Sequence, residues 1–444
     1  MPPPAERPPQ RRPSSTREDR HTPWSDIVIW MVTLAVGLAL SYLLRRWQAP
    51  RFSALSPFVR AWHLRLNAAD AVAAVIAVLV VLGGLRRWLD RMAWPFVLLG
   101  AFLVSAAWTV SLALAGTGGL AGRTVPGGIT DAARAIGDSP GAYLRSATQP
   151  GAEGLPRGAT LVVWGLQHLG LHTAAGVGLA LTLAGCLSVP LVLIAVRSLC
   201  HEPAARRLAP VLAVAPYAIW MAGSIDGLVL TLTAGAIACG TVGSEPDRTP
   251  AWAAAAGFLL GIASLISYVA WLLAAAVVIT YFVRRRPLPN LITGVAFLVP
   301  LFGAQLAGFV WSSGFTAARA QVSGTSPRQS LPAWLLVDVL AVLAVSGPTL
   351  VASARKIRRT PGWPFLLGAG IGLGFAVATG LSRGDAERVL LPFLPWLLVA
   401  AVAPERRPTS GDALERTAAV FPALLTAVGC VLALVWRIAI ESPW

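Results

Sequence analysis

Residues able to grip a phosphate or move a proton are scarce in this chain, and they are densest in Gly380 to Trp396, GLSRGDAERVLLPFLPW. Arg383, Asp385, Glu387 and Arg388 fall within six residues at the mouth of an apolar segment. Charged groups at a membrane face are costly unless they are paired or used. An arginine beside carboxylates, backed at once by a hydrophobic helix, can hold the phosphate of a lipid whose tail lies in the bilayer. The alternative is a solvated loop closed by an Asp385/Arg388 or Glu387/Arg383 ion pair.

A second set lies in the long segment Gly116 to Gly158, whose later part reads GGITDAARAIGDSPGAYLRSATQPGAEGLPRG. Asp131 and Asp138 are its candidate acids, with Arg134 and Arg145 nearby. A carboxylate at the membrane face can act as general base, taking the proton of an acceptor hydroxyl. Thr130 or Asp131 can equally cap a short helix, and both readings of Asp131 stand. Asp138 opens DSPG, a turn signal that accounts for an aspartate without chemistry.

Three further positions break apolar sequence. Ser224 and Asp226 interrupt PYAIWMAGSIDGL, where capping of the following helix competes with a place in a pocket wall. Asp338 stands about 10 Å along the helix that begins at Pro332, too deep for a carboxylate facing lipid. It should face the bundle interior, and with Gln305 at comparable depth on the preceding helix it suggests a polar cavity opening outward. His168, in the short apolar stretch ATLVVWGLQHLGL, is expected to be a hydrogen-bonded histidine of an interfacial helix.

The elements that position these groups follow from composition. Of 444 residues 56% are hydrophobic and 13% charged, with a mean hydropathy of +0.67, outside the range of soluble domains. The chain is therefore expected to be an all-α, polytopic transmembrane helical bundle of about 12–13 spans. The net charge of +16 sits in short clusters between apolar runs, which marks membrane topology and excludes nucleic acid as a partner. Cys186, Cys200, Cys239 and Cys430 share no metal-like spacing, so neither a disulfide framework nor a zinc site is expected.

One run, Ala251 to Val283, is too long for one span and is expected to split near Ser267 and Tyr268. The split has a consequence for orientation. With it, Arg86/Arg87/Arg91, Arg197/Arg206/Arg207, Arg284/Arg285/Arg286, Arg355/Lys356/Arg358/Arg359 and Arg406/Arg407 share one side; without it, the later clusters change sides. The exception is Arg45, Arg46, Arg51, Arg60 and Arg65, which fall on the opposite side.

The expected division is a disordered cytoplasmic tail over 1–25, two amino-terminal membrane helices over 26–94, a core over 95–405 and a cytoplasmic loop with a final helix over 406–444. The core carries an external loop, 116–158, with short interfacial helices. The tail is rich in Pro, Arg and Ser and lacks the apolar core of a cleaved signal peptide.

No phosphate-binding glycine loop, HExxH, paired-cysteine motif or GxSxG is present, so soluble-enzyme cofactor sites are not supported. Four stretches together, SPGAYLRSATQPGAEGLPRGATLVVWGLQHLGL, APYAIWMAGSIDGL, GFLLGIASLISYVAWLLA and GLSRGDAERVLLPFLPW, give the chain a family likeness. It resembles the actinobacterial glycosyltransferase-like integral membrane proteins of the GT-C class, which use polyprenyl-phosphate sugars.

That resemblance implies a GT-C-like bundle in the plasma membrane with a cytoplasmic amino terminus and an extracytoplasmic carboxyl terminus. Its outward cavity would take the lipid-linked donor, and its first long external loop would carry the catalytic acid. Carried over by position, Asp131 or Asp138 is the acid, and Arg388 with Asp385, Glu387 and Arg383 lies at the donor site. Such enzymes often place an acid soon after the preceding span, where this chain has AGTGGLAG with Thr117 and no carboxylate. Transfer of a sugar to an extracytoplasmic hydroxyl is the expected function, with a polyprenyl-phosphate-linked sugar and membrane lipid as partners. The alternative is a non-catalytic lipid-binding or transport protein on the same scaffold. A divalent ion fits the class, although no ligand set stands out.

Overall fold

The computed structural model describes residues 23–48, 65–116, 118–124, 129–145, 157–325, 331–358, 360–382, 386–402 and 412–439. Among them every regular element is an α-helix or a 3-10 helix. Within a bilayer an isolated strand would leave its backbone groups unsatisfied, whereas a helix satisfies them internally. Six helices are long and apolar enough to cross a membrane: Ala68–Leu85, Trp94–Ala115, Ala174–Cys200, Ile225–Gly243, Leu288–Leu306 and Phe421–Ala439. A pair bent by 98°, Leu335–Ser346 and Pro348–Arg355, makes a seventh if counted as one span. The remaining apolar runs appear as shorter helices, including Trp24–Leu40, Pro250–Ile266, Ala270–Val283 and Trp363–Thr379.

The expected break comes where the sequence placed it. The Pro250 helix ends at Ile266, Ser267 is extended, and a 3-10 turn over Ala270–Leu273 leads into the helix Ala274–Val283. The chain therefore doubles back. Two other apolar runs are broken more severely, Leu208 to Gly223 and Val389 to Ala403. Pro216 separates the helix Glu202–Ala213 from Ala218–Met221, and Pro392 and Pro395 divide the second run into Ala386–Val389, Leu391–Phe393, Leu394–Leu398 and Val399–Ala401. From residue 386 to 402 this broken segment is buried throughout except at half-buried Val389. Irregular backbone at such a depth is tolerated because protein surrounds it.

Contacts sort the charges to the two ends of the bundle. At one end Arg206 donates to the carbonyls of Leu89 and Met92, and Arg197 lies 4.7 Å above the Trp94 ring. Arg284 donates there to the Ser198 carbonyl, and Arg286 to that of Glu245. Arg355 pairs with Asp26 at 2.6 Å, while Lys356 donates to the Ala401 carbonyl at 2.9 Å. Arg359, Arg406 and Arg407 lie outside the described residues. At the opposite end Arg437 meets both Asp70, at 3.1 Å, and the Ala115 carbonyl, tying three helix ends together. Arg65, of the exceptional cluster, is also there, its amide donating to the Ile438 carbonyl at 3.2 Å.

Small residues set the closest helix packing. A Cβ on Gly257 would stand 2.0 Å from the Thr293 carbonyl oxygen, and one on Gly261 2.5 Å from that of Phe297. This spacing seats the largely exposed Leu288 helix against the Pro250 helix.

Candidate functional site

The site is built at the end of the bundle away from the basic clusters. Trp363–Thr379 terminates at Gly380 in a left-handed conformation, φ 76°, which glycine adopts without strain. The chain then turns inward, and the Ser382 hydroxyl donates to a carboxylate oxygen of Asp338 at 2.5 Å. The short helix Ala386–Val389 follows, packed against the helix Leu331–Ser346 and against Ala218–Met221. Asp338, Ser382, Glu387 and Arg388 are all buried. Arg383 and Asp385 lie outside the described residues.

Ser224 and Asp226 adjoin this cluster through the neighbouring helix Ala218–Met221 and through Leu391–Phe393, which packs on the helix Ile225–Gly243. Ser224 is the N-cap of that helix, accepting from the Asp226 amide at 3.1 Å and donating to the Asp226 carboxylate at 3.0 Å. Capping thus accounts for Ser224, and Asp226 stands in the first turn of the helix, where a carboxylate is favoured.

The segment after Gly116 carries a 3-10 turn, Gly119–Thr124, and two short helices, Ile129–Arg134 and Pro140–Arg145. Asp131 is half exposed, and Arg134 holds it at 2.6 Å. Its helix is anchored by the Gln167 amide, which donates to the Thr130 carbonyl at 3.1 Å, and by Ile129, which packs on the same buried clusters as Ile225 and Leu228. Asp131 therefore comes to the same end as Asp226. Asp138 is exposed in the turn that follows. Gln305 is exposed on the Leu288 helix, away from the buried cluster. His168 donates from Nδ1 to the Trp164 carbonyl, 2.9 Å away, and its ring lies 4.1 Å from that of Trp164.

Sequence reasoning passed over Arg157 and Tyr268. Arg157, the first residue of the helix Arg157–His168, is 4% exposed, donates to the Tyr143 carbonyl and lies 4.8 Å above the Tyr143 ring. Tyr268, at the helix break, is 6% exposed and sits edge-on to Trp311 and Phe315. Its hydroxyl has no hydrogen-bond partner among the described residues. The signal for Arg157 was a charge beside proline at the head of an amphipathic helix, in a stretch that otherwise looks like loop.

Chemically, the arrangement offers a buried guanidinium, a buried carboxylate–hydroxyl pair and an ion-paired acid nearer the surface. Among the described residues no three His, Cys, Asp or Glu side chains gather as metal ligands.

Long apolar helices in an all-helical described fold make this a multi-pass membrane protein, and the likeness that follows gives it a GT-C-like fold. The crystal structure of ArnT from Cupriavidus metallidurans bound to undecaprenyl phosphate is similar, with a TM-score of 0.52, 17% identity, and coverage of 78% of this chain and 77% of that one. ArnT from the same organism in the apo state matches with a TM-score of 0.45 and 18% identity over 70% and 72% of the two chains. No protein-family model matches the chain. No curated protein matches it either.

Proposed function

We propose that this protein is a plasma-membrane glycosyltransferase that moves a sugar from a polyprenyl-phosphate donor to an acceptor hydroxyl on the extracytoplasmic side. The observation that carries the reading is the buried Arg388, beside Glu387 and the Asp338–Ser382 pair, at the end away from the basic clusters. A fold shared with a protein solved bound to undecaprenyl phosphate supports the same donor class. The donor would engage Arg388 and Glu387 together with Arg383 and Asp385, and Asp338, Ser224 and Asp226 would shape the space around it.

In the transfer, the acceptor oxygen forms a bond to the anomeric carbon as that carbon's bond to the phosphate oxygen breaks. The acceptor proton passes to a carboxylate, for which Asp131 is the nominee, released from Arg134. The leaving electron pair stays on the polyprenyl phosphate, whose charge Arg388 stabilises. Positive-inside topology places the basic end, and with it the amino terminus, in the cytoplasm, and the carboxyl terminus outside. The chain would then divide as a tail over 1–25, two helices over 26–94, the core over 95–405 with its external loop at 116–158, and a loop with the last helix over 406–444.

A second reading, a non-catalytic lipid-binding or transport protein, is favoured by one observation: Asp131 is engaged by Arg134 and Asp138 is exposed, so neither candidate base is buried beside Arg388. Purified protein offered undecaprenyl phosphate and a panel of polyprenyl-phosphate sugars separates the two. Binding that depends on Arg388 together with Asp131-dependent turnover supports the enzyme. Arg388-dependent binding without turnover supports the second reading. Binding indifferent to Arg388 refutes both as stated.

A further inference from the structure

At the basic end of the bundle, far from the site above, a small open crevice lies between the helices Ala68–Leu85, Glu202–Ala213 and Asp412–Ala439. Arg87, Arg206 and Arg207 line it, against a single acid, Asp90. Asp90 engages Arg87 at 2.6 Å, and Glu202, outside the crevice wall, engages Arg206 at 2.5 Å. Arg207 makes no hydrogen bond or ion pair among the described residues. Among the described lining residues the crevice is therefore net positive, and Arg207 is the arginine without a partner there.

Val80, Leu89, Pro210, Pro422 and Ala423 make the rest of its wall largely apolar, with the Thr426 hydroxyl among them. Pro210 and Pro422 both lie inside their helices and both face the crevice. A proline within a helix removes one backbone hydrogen bond and crowds the preceding turn, which favours a local bend at that level. Beyond the crevice the Ala68 helix exposes Val78, Leu79 and Leu82, and Trp88 is 48% exposed at its end. An exposed tryptophan between an apolar face and a basic cluster is the pattern of the membrane–water boundary.

We propose that this crevice binds the headgroup phosphate of an anionic phospholipid, with Arg207 and Arg87 on the phosphate and the acyl chains along the exposed face of the Ala68 helix. A basic pocket between helix ends at the boundary suits a phosphodiester carried by a lipid, because the apolar wall continues directly into the bilayer face. A free anion would use the arginines and leave that wall idle. The inference is independent of the transferase reading, since it involves the opposite end of the molecule.

The test uses full-length protein in nanodiscs of phosphatidylcholine alone or with phosphatidylglycerol. Lipid retention is read by native mass spectrometry, and stability by the unfolding midpoint. Wild type should retain phosphatidylglycerol selectively and unfold at a higher temperature with it. Arg207→Ala should weaken retention by about fivefold, and Arg207→Lys should keep most of it. A Cβ at Gly84 meets nothing within 4 Å, so Gly84→Leu can enter the crevice without a backbone clash and should displace the lipid with every arginine in place. Equal retention of both lipids by wild type overturns the proposal, as does undiminished selectivity in both Arg207→Ala and Gly84→Leu. An equal rise in midpoint when inorganic phosphate is added to phosphatidylcholine nanodiscs overturns it in favour of a small-anion site.

Discussion

The Ser382 hydroxyl, in the turn after Gly380, and the Asp338 carboxylate, on the helix Leu331–Ser346, meet at 2.5 Å, with both residues at most 1% exposed. Asp338→Leu removes the acceptor and strands a buried hydroxyl, which costs about 1–3 kcal/mol. The expected outcome is a lower unfolding midpoint in detergent, with Ser382→Ala alone less damaging and Asp338→Asn intermediate. An unchanged midpoint in Asp338→Leu would show that the pair contributes nothing to stability.

For Arg388 the expectation concerns rate. Loss of a group that stabilises charge on the departing phosphate lowers turnover by about 10²–10³-fold. Arg388→Ala should lose sugar transfer from a polyprenyl-phosphate donor to that extent and remain folded in the membrane. Arg388→Lys, which keeps the charge but not the planar fork, should recover part of it. Transfer at the wild-type rate in Arg388→Ala would remove this residue from the mechanism.

Arg437 and Asp70 form a buried pair, their side chains 4% and 6% exposed. Removing one partner leaves a charge stranded among helix ends, at a cost of about 3–5 kcal/mol, whereas replacing both by apolar residues is close to neutral. Arg437→Met should therefore be much less stable than Arg437→Met combined with Asp70→Leu. Part of that recovery is offset, because Asp70 also accepts from the Asn67 amide at 2.7 Å. A double-mutant cycle on the unfolding midpoint measures the coupling, and simple additivity would contradict it.

Substitution at Gly257 should act through packing. Its nearest neighbour is backbone, the Thr293 carbonyl, so Gly257→Val cannot be relieved by a rotamer change. Overpacking of this kind typically costs about 1–3 kcal/mol. Because the Leu288 helix is held chiefly by this seam, faster protease cleavage around it should accompany the lower midpoint. Gly294, whose Cβ would meet nothing within 4 Å, should accept alanine without either effect.

Glu245 gives the pH dependence. Burial pushes its carboxyl up, but the Ser198 hydroxyl at 2.5 Å and Arg248 at 3.1 Å outweigh that and hold it below the ordinary glutamate value. The folded state thus binds its proton less readily than the unfolded state. The stabilisation is fully present above the ordinary glutamate value of about 4.3 and is lost as pH falls through the lower folded value. Glu245→Gln should flatten the fall in unfolding midpoint below that value. An acid limb identical to wild type would contradict this.

Much of the architecture was legible because hydropathy and charge report it directly. The break at Ser267 could be read because a run of that length cannot make one span, and because only a break puts Arg284 with Arg197. Those two sites do meet, through the Arg284–Ser198 contact. The fragmentation of residues 386–402 was not legible. Its composition is that of a span, and only burial by neighbouring helices makes so irregular a backbone tolerable. The buried state of Glu387 and Arg388 depends on that same enclosure. Arg157 escaped notice because its burial rests on Tyr143, fourteen positions earlier, and periodicity carries no trace of such a contact.

The segmented rod at the centre of the bundle is fastened unevenly. Lys356 and Ser353 grip it at Ala401 and Ala400, near the basic end, while its other end terminates in Glu387 and Arg388. Four short pieces joined by bends have pivots that a continuous helix lacks. If Arg388 takes the load proposed for it, that load would be spread over several joints before it reached Ala400.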